Sequence, residues 1–335
     1  MNSDRIMENS RMDRQSGEAR ELPKPIHSVH DAIETVLAQS AYTRAPQGAP
    51  ECTLTGEHGR FEVTTVQAED LETINEMQTF IGEYLDASEV DTVDVVQAGL
   101  RGDRAVGSEH DSKYRIFLAR DEQGNIASLY SGGVVEFTPH SERPDEAIFF
   151  GAYGITSMSA RRKGLVRELY ASSLMQAEVD AKANGKKLTM VVGESSDESE
   201  PAWNAFGRKR VYVQTGPDTY TEIPYVQPPL DFDPDTGLPT EGNIDVPLHL
   251  MLQFFDGTAD KKRISLAVDA IYRWCNMPPE DEFSTQEALQ AQRAYIANLQ
   301  KQFDDFLFGN GELKLFSANE RDEMRKSGAS ILDAK

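Results

Sequence analysis

With 335 residues, 39% of them hydrophobic, the chain is long enough for one large domain or two and can bury a substantial core. It carries 34 Lys and Arg against 56 Asp and Glu, a net charge of -22, which disfavours sequence-independent binding of nucleic acid. No run of about 18 apolar residues occurs and residues 1–20 lack an apolar secretion signal, so we expect a cytoplasmic protein without a membrane segment.

The cysteine and histidine content argues against a disulfide framework and a metal centre. Only two cysteines occur, Cys52 and Cys275, and we expect reduced thiols, with one long-range bridge left open as the alternative. None of the six histidines forms a helical His-x-x-x-His pair or stands beside a carboxylate cluster. The sequence therefore predicts no metal ion.

The N-terminal residues 1–56 differ in character from the rest of the chain. They are rich in Ser, Pro, Arg, Glu and Gly, and they contain one short amphipathic stretch over 29–37. We expect a mobile arm with one helix.

A strand, a helix and a variable connection are predicted next. Residues 61–66 alternate like a strand, and Asp70 then stands where an N-cap would begin a helix over 71–85. The polar residues 86–112 predict a variable connection, with a second helix near 90–100.

The middle of the chain has the pattern of an antiparallel hairpin followed by alternating helices and strands. Gly124 marks the turn between strands over 114–119 and 126–137. The remaining elements are, in chain order, a strand over 147–157, a helix over 161–184, a buried strand over 188–192, a short helix over 201–206 and closing strands over 211–214, 220–226 and 248–255. We expect an α/β (α+β) fold with a mixed, mostly antiparallel sheet flanked by helices.

The chain beyond residue 256 predicts two amphipathic helices, over 264–275 and 285–308, and a tail from residue 315 that is expected to fray. We therefore divide the chain into three parts: an N-terminal arm (1–56), a central domain (57–256) and a helical C-terminal extension (257–335).

Residues 161–166, Arg-Arg-Lys-Gly-Leu-Val, form a basic loop at the start of the predicted long helix. A pyrophosphate needs backbone N–H donors, positive charge and room, and all three are available where such a loop leads into a helix N-terminus. The alternative is a solvated helix start, which the loop alone does not exclude.

This loop resembles the signature Gln/Arg-x-x-Gly-x-Gly/Ala of the GNAT N-acetyltransferase superfamily. Arg161 and Gly164 match the first and fourth positions, whereas Val166 stands at the sixth, where a small residue is usual. The order of predicted elements over 57–256 is also that of the family. The resemblance implies a GNAT-like fold and an N-acyltransferase that takes acetyl-CoA, or another short acyl-CoA, as cosubstrate without a metal.

The resemblance also implies which residues bind the coenzyme. The amides of 162–166 are expected to hold the pyrophosphate, and the backbone of 155–157 is expected to pair with the pantetheine arm like an added strand. Phe206 is interpreted as a core or coenzyme-pocket residue. The predicted coenzyme-binding residues are Ile155, Thr156, Ser157, Arg161, Arg162, Lys163, Gly164, Leu165, Val166 and Phe206.

Attack of an amine on a thioester needs a base for the amine proton. Glu194, which follows the predicted strand over 188–192, is the first candidate. Glu136 on the hairpin is the second. A solvated acidic loop and an outward-facing strand residue are the respective alternatives.

The leaving thiolate also needs a proton. In the family a tyrosine after the strand over 188–192 supplies it, but Phe206 occupies that place and has no proton to donate. Tyr212 is our candidate replacement, with Tyr153 or water as alternatives. Packing with a hydrogen-bonded hydroxyl is the other interpretation of both tyrosines.

Three hypotheses about function follow. The first is an enzyme that transfers a short acyl group from coenzyme A to an amine of a small molecule or a protein. The second is a catalytically impaired protein that binds acyl-CoA without transfer, motivated by Val166 and Phe206. The third is an interaction protein in which the arm and the C-terminal helices form a surface for a homodimer or another partner.

Overall fold

A computed structural model describes residues 26–48, 50–85, 90–102, 112–137, 141–228, 232–240, 246–276 and 283–334. Predictions for the first 25 residues, and for 86–89 and 103–111 of the connection, lie outside these ranges. The described helices are α1 (Val29–Leu37), α2 (Leu71–Gly82), α3 (Val93–Arg101), α4 (Leu165–Ala183), α5 (Glu200–Ala205), α6 (Lys261–Asn276), α7 (Gln286–Gly309) and α8 (Ala318–Lys326).

Twelve of the strands in these ranges form one sheet, in the order β1-β2-β3-β4-β5-β6-β7-β12-β8-β9-β14, with β13 added beside β8. Its strands are β1 (Tyr42–Gly48), β2 (Glu51–Gly56), β3 (Gly59–Thr65), β4 (Ser112–Arg120), β5 (Ile126–Glu136), β6 (Glu146–Thr156), β7 (Lys187–Ser195), β8 (Lys209–Gly216), β9 (Thr219–Glu222), β12 (His249–Phe254), β13 (Leu313–Phe316) and β14 (Ser330–Leu332). A separate pair consists of β10 (Val226–Gln227) and β11 (Val246–Pro247).

The sheet is mixed and mostly antiparallel, as predicted. Among the described strands only the pairs β6–β7 and β9–β14 are parallel. The crossover from β6 to β7 runs through α4, which is the connection that parallel neighbours require. Strand β12 returns late in the chain to lie between β7 and β8.

Helices cover both faces of the sheet. One apolar cluster contains side chains of α2, α3, α6 and α7 on one face, and a second contains those of α1 and α4 on the other. Local sequence signals explain the helix ends. The Asp70 side chain accepts a hydrogen bond from the Thr73 amide at 3.0 Å and caps α2, and Gly185 adopts a positive φ of 71° just beyond α4.

The predicted division of the chain needs correction at both ends. Residues 42–56, assigned to the arm, form β1 and β2, which continue the main sheet next to β3. The tail beyond residue 315, expected to fray, contains β13, α8 and β14, and β14 pairs with β9. Pro46 obscured the first of these strands in the sequence, because proline is tolerated in a strand only at a sheet edge.

Three further observations bear on the sequence predictions. Cys52 is a buried free thiol, and burial raises its pKa; the Cys275 side chain is outside the described part of the chain. None of the described helices is long and apolar enough to cross a membrane. Within the same ranges, His, Cys, Asp and Glu side chains form no group suited to hold a metal ion.

Candidate active site

The loop between β6 and α4 presents a helix N-terminus to solvent. It contains a 3-10 turn (Met158–Ala160) and positive φ angles of 63° at Arg162 and 78° at Gly164, so α4 begins at Leu165 rather than at 161. No side chain of the described residues caps this end of α4, and the N–H groups of Leu165 and Val166 have no acceptor inside the helix, whereas that of Arg167 donates to the Gly164 carbonyl at 3.1 Å. A side chain at Gly164 would meet nothing within 4 Å. The donors are therefore accessible to an anion.

Basic side chains surround this helix end. Arg161 and Arg162 are exposed, and the Arg161 guanidinium lies 5.8 Å from the centre of the Tyr84 ring. The Lys163 ammonium lies 5.9 Å from the centre of the Phe61 ring. Donors, positive charge and room thus coincide at the predicted pyrophosphate site, which fits the group that the resemblance implies.

An opening between β6 and β7 begins where their pairing stops. The two strands pair only as far as Gly151 and Gly193. A bulge in β6 explains the separation, because residues 152–153 oppose the single residue Ser131 of β5. Beyond the bulge, residues 154–156 remain paired with β5, while no described residue of β7 pairs with them. Their other edge is open to an added strand.

The predicted pantetheine residues, 155–157, follow this open edge. Two bulky side chains approach it from the α4 face: a Cβ at Gly154 would lie 2.9 Å from the Trp203 ring and 3.4 Å from Cγ2 of Val166. Val166 therefore narrows the passage along β6. A coenzyme arm on this edge would run beside Val166 and Trp203.

Glu194 lies at the mouth of the opening, one residue beyond Gly193, the last residue of β7 that pairs with β6. Its cross-strand partner is Leu250 of β12, which packs in the cluster with α2, α3, α6 and α7. Burial raises the pKa of the Glu194 carboxyl to about 7, although a hydrogen bond from Tyr225 lowers this pKa by a smaller amount. The residue as a whole keeps intermediate exposure, while its carboxyl group is desolvated. Such a carboxylate suits a general base near neutral pH.

Tyr225 is a site residue that the sequence reasoning missed. Its hydroxyl donates to Oε1 of Glu194 at 2.5 Å, and its ring is stacked on Tyr272 with centroids 5.9 Å apart. Both tyrosines are buried. The sequence contains no local signal for this contact, because it joins residues 31 positions apart.

A small cleft, with room for about one water molecule, adjoins the bulge on the same face of the sheet. Apolar side chains of α2 and α3 form one wall, and Ser131 and Tyr153 form part of the other. The Ser131 hydroxyl accepts a hydrogen bond from the Tyr153 amide at 3.1 Å, which fixes the bulge. The cleft lies next to the opening between β6 and β7.

The structure favours packing with a hydrogen-bonded hydroxyl as the interpretation of Tyr212. Cross-strand partners share a face, and Arg210 pairs with Met251, the neighbour of Leu250 on β12. Alternation along β8 then places Tyr212 on the opposite face of the sheet from Glu194. Its buried hydroxyl donates to Asp333 at 2.6 Å, and burial raises its pKa. Structural packing explains Tyr212.

Local contacts account for two other predicted residues. Glu136 is buried beside the start of β7, where it accepts a hydrogen bond from Asn184 at 2.5 Å. This position is at the opposite end of the β6–β7 pair from Glu194. Phe206 is 5% exposed and stacks on Tyr170 with centroids 5.0 Å apart, which favours its interpretation as a core residue over a coenzyme contact.

Neither a protein-family model nor a curated protein matches the sequence. Solved structures do show similarity. The GNAT family N-acetyltransferase YhbS from Escherichia coli, solved in complex with CoA, is 13% identical and matches 62% of this chain and 87% of its own, with a TM-score of 0.33. The spermidine/spermine N-acetyltransferase SpeG from Vibrio cholerae is 15% identical over 58% of this chain and 94% of its own, with a TM-score of 0.31.

A third similar structure is the tandem GNAT protein from the clavulanic acid biosynthesis pathway, at 15% identity and a TM-score of 0.31. The match covers 46% of this chain and 48% of that protein, so the chain spans about half of its length. The identities and TM-scores are too low for these matches to assign this chain to a family.

Three features converge on the opening between β6 and β7. The helix N-terminus at Gly164 lies at the end of β6, the free backbone edge follows the bulge, and the Glu194 carboxyl group lies at the mouth. The arrangement can hold an anion at one end and accept a proton at the other.

Proposed function

We propose that the protein is an acyl-CoA-dependent N-acyltransferase whose acceptor is an amine of a small molecule or a protein. One observation carries the proposal: a desolvated carboxyl group with a pKa raised to about 7 lies where two parallel strands separate. Perturbed acids of this kind are concentrated at functional sites. A cytoplasmic location and a homodimer remain predictions.

The residues suggest a division of roles. Amides at the start of α4 and the cations Arg161, Arg162 and Lys163 bind the pyrophosphate, and the open edge of β6 orients the pantetheine arm. The coenzyme supplies the acyl group as a thioester. Glu194 accepts the proton that the amine loses while a C–N bond forms and the C–S bond breaks, and the thiolate takes a proton from solvent. Tyr225 positions the carboxylate.

A binding measurement tests the first half of this proposal. Acetyl-CoA at about 100 times its dissociation constant should add roughly 2.7 kcal/mol to the free energy of unfolding, seen as a higher melting temperature. Free phosphate at the same concentration is the control for a non-specific anion effect. An unchanged melting curve at millimolar acetyl-CoA would refute coenzyme binding.

A turnover measurement tests the second half. Release of free thiol from acetyl-CoA should depend on an amine, supplied first as a pooled library of polyamines, amino acids, aminosugars and peptides. Stabilisation by acetyl-CoA without amine-dependent thiol release would favour the alternative, an acyl-CoA-binding protein that has lost transfer.

A further inference from the structure

Arg208 is a buried cation whose neighbours are neutral. The residue is 1% exposed, and its Nη2 donates to the Tyr130 hydroxyl at 2.6 Å. The guanidinium carbon lies 4.4 Å from the Trp203 ring centre and 5.0 Å from that of Tyr170. Among the described residues, the Arg208 Nε finds no hydrogen-bond acceptor and no carboxylate forms an ion pair with Arg208.

Arg210, which is also fully buried, has a different environment from that of Arg208. Arg210 contacts the carboxylates of Asp197, Glu200 and Glu222. Buried cations are normally paired, because an unpaired charge loses its hydration without compensation. Aromatic rings supply part of that compensation for Arg208, but its counter-charge is missing from the described chain.

The position of the guanidinium indicates where that counter-charge belongs. Gly151 and Gly193 are the last residues of β6 and β7 that pair before the strands separate. A Cβ at Gly151 would lie 2.8 Å from Nη2 of Arg208, and a Cβ at Gly193 would collide with Nη1. The two glycines therefore make room for the guanidinium, which lies at the closed end of the opening.

We propose that Arg208 binds a carboxylate at the far end of the transferred acyl group. The inference rests on the proposed function, in which the acyl thioester enters the opening between β6 and β7. The donor class is then a dicarboxylic acyl-CoA, with succinyl-CoA as the simplest four-carbon member, rather than acetyl-CoA. A guanidinium suits this role because its planar set of N–H donors matches the two oxygens of a carboxylate.

Paired thioesters test the proposal without knowledge of the acceptor. Butyryl-CoA has the same number of acyl carbons as succinyl-CoA and carries a methyl group in place of the terminal carboxylate. We expect the full-length protein to bind freshly prepared succinyl-CoA at least tenfold more tightly than butyryl-CoA in calorimetric titrations, a ratio worth about 1.4 kcal/mol. Equal affinities, or tighter binding of butyryl-CoA, would overturn the inference.

The Arg208→Met variant tests whether Arg208 causes the preference for succinyl-CoA over butyryl-CoA. Methionine keeps nearly the length of the side chain and its contact with Trp203. The substitution leaves no carboxylate of the described residues without a cationic partner, so we expect the variant to fold. The preference for succinyl-CoA should disappear, while the affinity for butyryl-CoA changes less than threefold. The matched control Arg325→Met, on the exposed part of α8, should retain the full preference.

The outcomes separate this inference from the proposed function. If coenzyme A, acetyl-CoA, butyryl-CoA and succinyl-CoA all fail to bind, both fall. If the neutral thioesters bind and succinyl-CoA binds no better, or if Arg208→Met keeps the preference, only the dicarboxylic donor is refuted. The wild-type comparison remains decisive if the variant does not fold.

Discussion

The Glu194→Gln variant keeps the size of the side chain and removes its charge, so it tests both the burial of the carboxyl group and its role as base. Burial raises the pKa of Glu194 from 4.5 to about 7. A change of this size corresponds to about 3 kcal/mol of additional cost for ionising the group in the folded protein.

The sign of the pH dependence follows from this direction. Between about pH 4.5 and 7 the folded protein retains a proton that the unfolded chain has lost. The contribution of Glu194 to the free energy of unfolding is therefore fully present below about pH 4.5 and falls as the pH rises from about 4.5 to about 7. Above about pH 7 it no longer changes. Glutamine has no such dependence. Relative to the parent, Glu194→Gln should therefore become more stable by about 2 kcal/mol between pH 5 and pH 8.

Urea denaturation of parent and variant at both pH values measures this difference. Glu198→Gln, in the exposed loop after β7, is the control for loss of one surface carboxylate. A Glu194→Gln difference that does not change with pH would show that the carboxyl group is not desolvated in solution.

The same variant tests catalysis. If Glu194 is the base, the rate of acyl transfer should fall about 10²- to 10⁴-fold with little change in coenzyme affinity. The limb of the pH–rate profile near pH 7 should also disappear. Full activity on the true acceptor would exclude Glu194 as the base and favour a water-mediated route.

Three further changes test other parts of the site. Gly164→Asp should weaken coenzyme binding at least about tenfold relative to Gly164→Asn, because only Asp adds a carboxylate to the helix N-terminus, while both residues tolerate the positive φ of 78° at this position. Equal affinities of the two variants in calorimetry would show that the pyrophosphate does not bind at this helix end. Tyr212→Phe should cost about 1–3 kcal/mol of unfolding free energy, because Asp333 loses one of its donors, and should leave transfer unchanged; a hundredfold slower rate with intact stability would support Tyr212 as the acid. Phe206→Ala should cost about 3–5 kcal/mol in denaturation and leave coenzyme affinity within about threefold; a large loss of affinity in the folded variant would restore its coenzyme contact.

Elements with a local sequence signal were predictable. The hairpin around Gly124 and the helix stop at Gly185 depend on positive φ angles that glycine adopts without strain. The helix over 71–85 is marked by its N-cap at Asp70 and is observed as Leu71–Gly82. These features follow from residues that are neighbours in the chain.

Features that depend on distant contacts were not predictable. The strands β13 and β14 join the sheet only through partners about a hundred residues earlier. Tyr225 reaches Glu194, and Arg208 reaches the paired glycines of β6 and β7, only because the tertiary fold brings them together. Tyr225 carries no motif, so the sequence could not single it out.

The last prediction concerns the C-terminal segment, which the sequence treated as an extension. Arg321 of α8 is 6% exposed and donates to both carboxylate oxygens of Glu200, at 2.5 and 2.8 Å. Arg321→Ala would leave the buried Glu200 with Arg210 as its remaining cationic partner among the described residues. Removing one member of a buried ion pair costs about 3–5 kcal/mol, because the other charge stays desolvated.

Chemical denaturation of Arg321→Ala, with the exposed pair of Arg325 and Asp333 as comparison, measures this cost. Arg325→Ala removes a half-exposed partner and should cost less than about 1 kcal/mol. The double variant Arg321→Met with Glu200→Gln removes both buried charges and should recover most of the stability lost in Arg321→Ala. Equal small losses for Arg321→Ala and Arg325→Ala would show that α8 is only loosely attached. The expected large difference would instead make residues 313–334 part of the same cooperative unit as the sheet that carries Glu194.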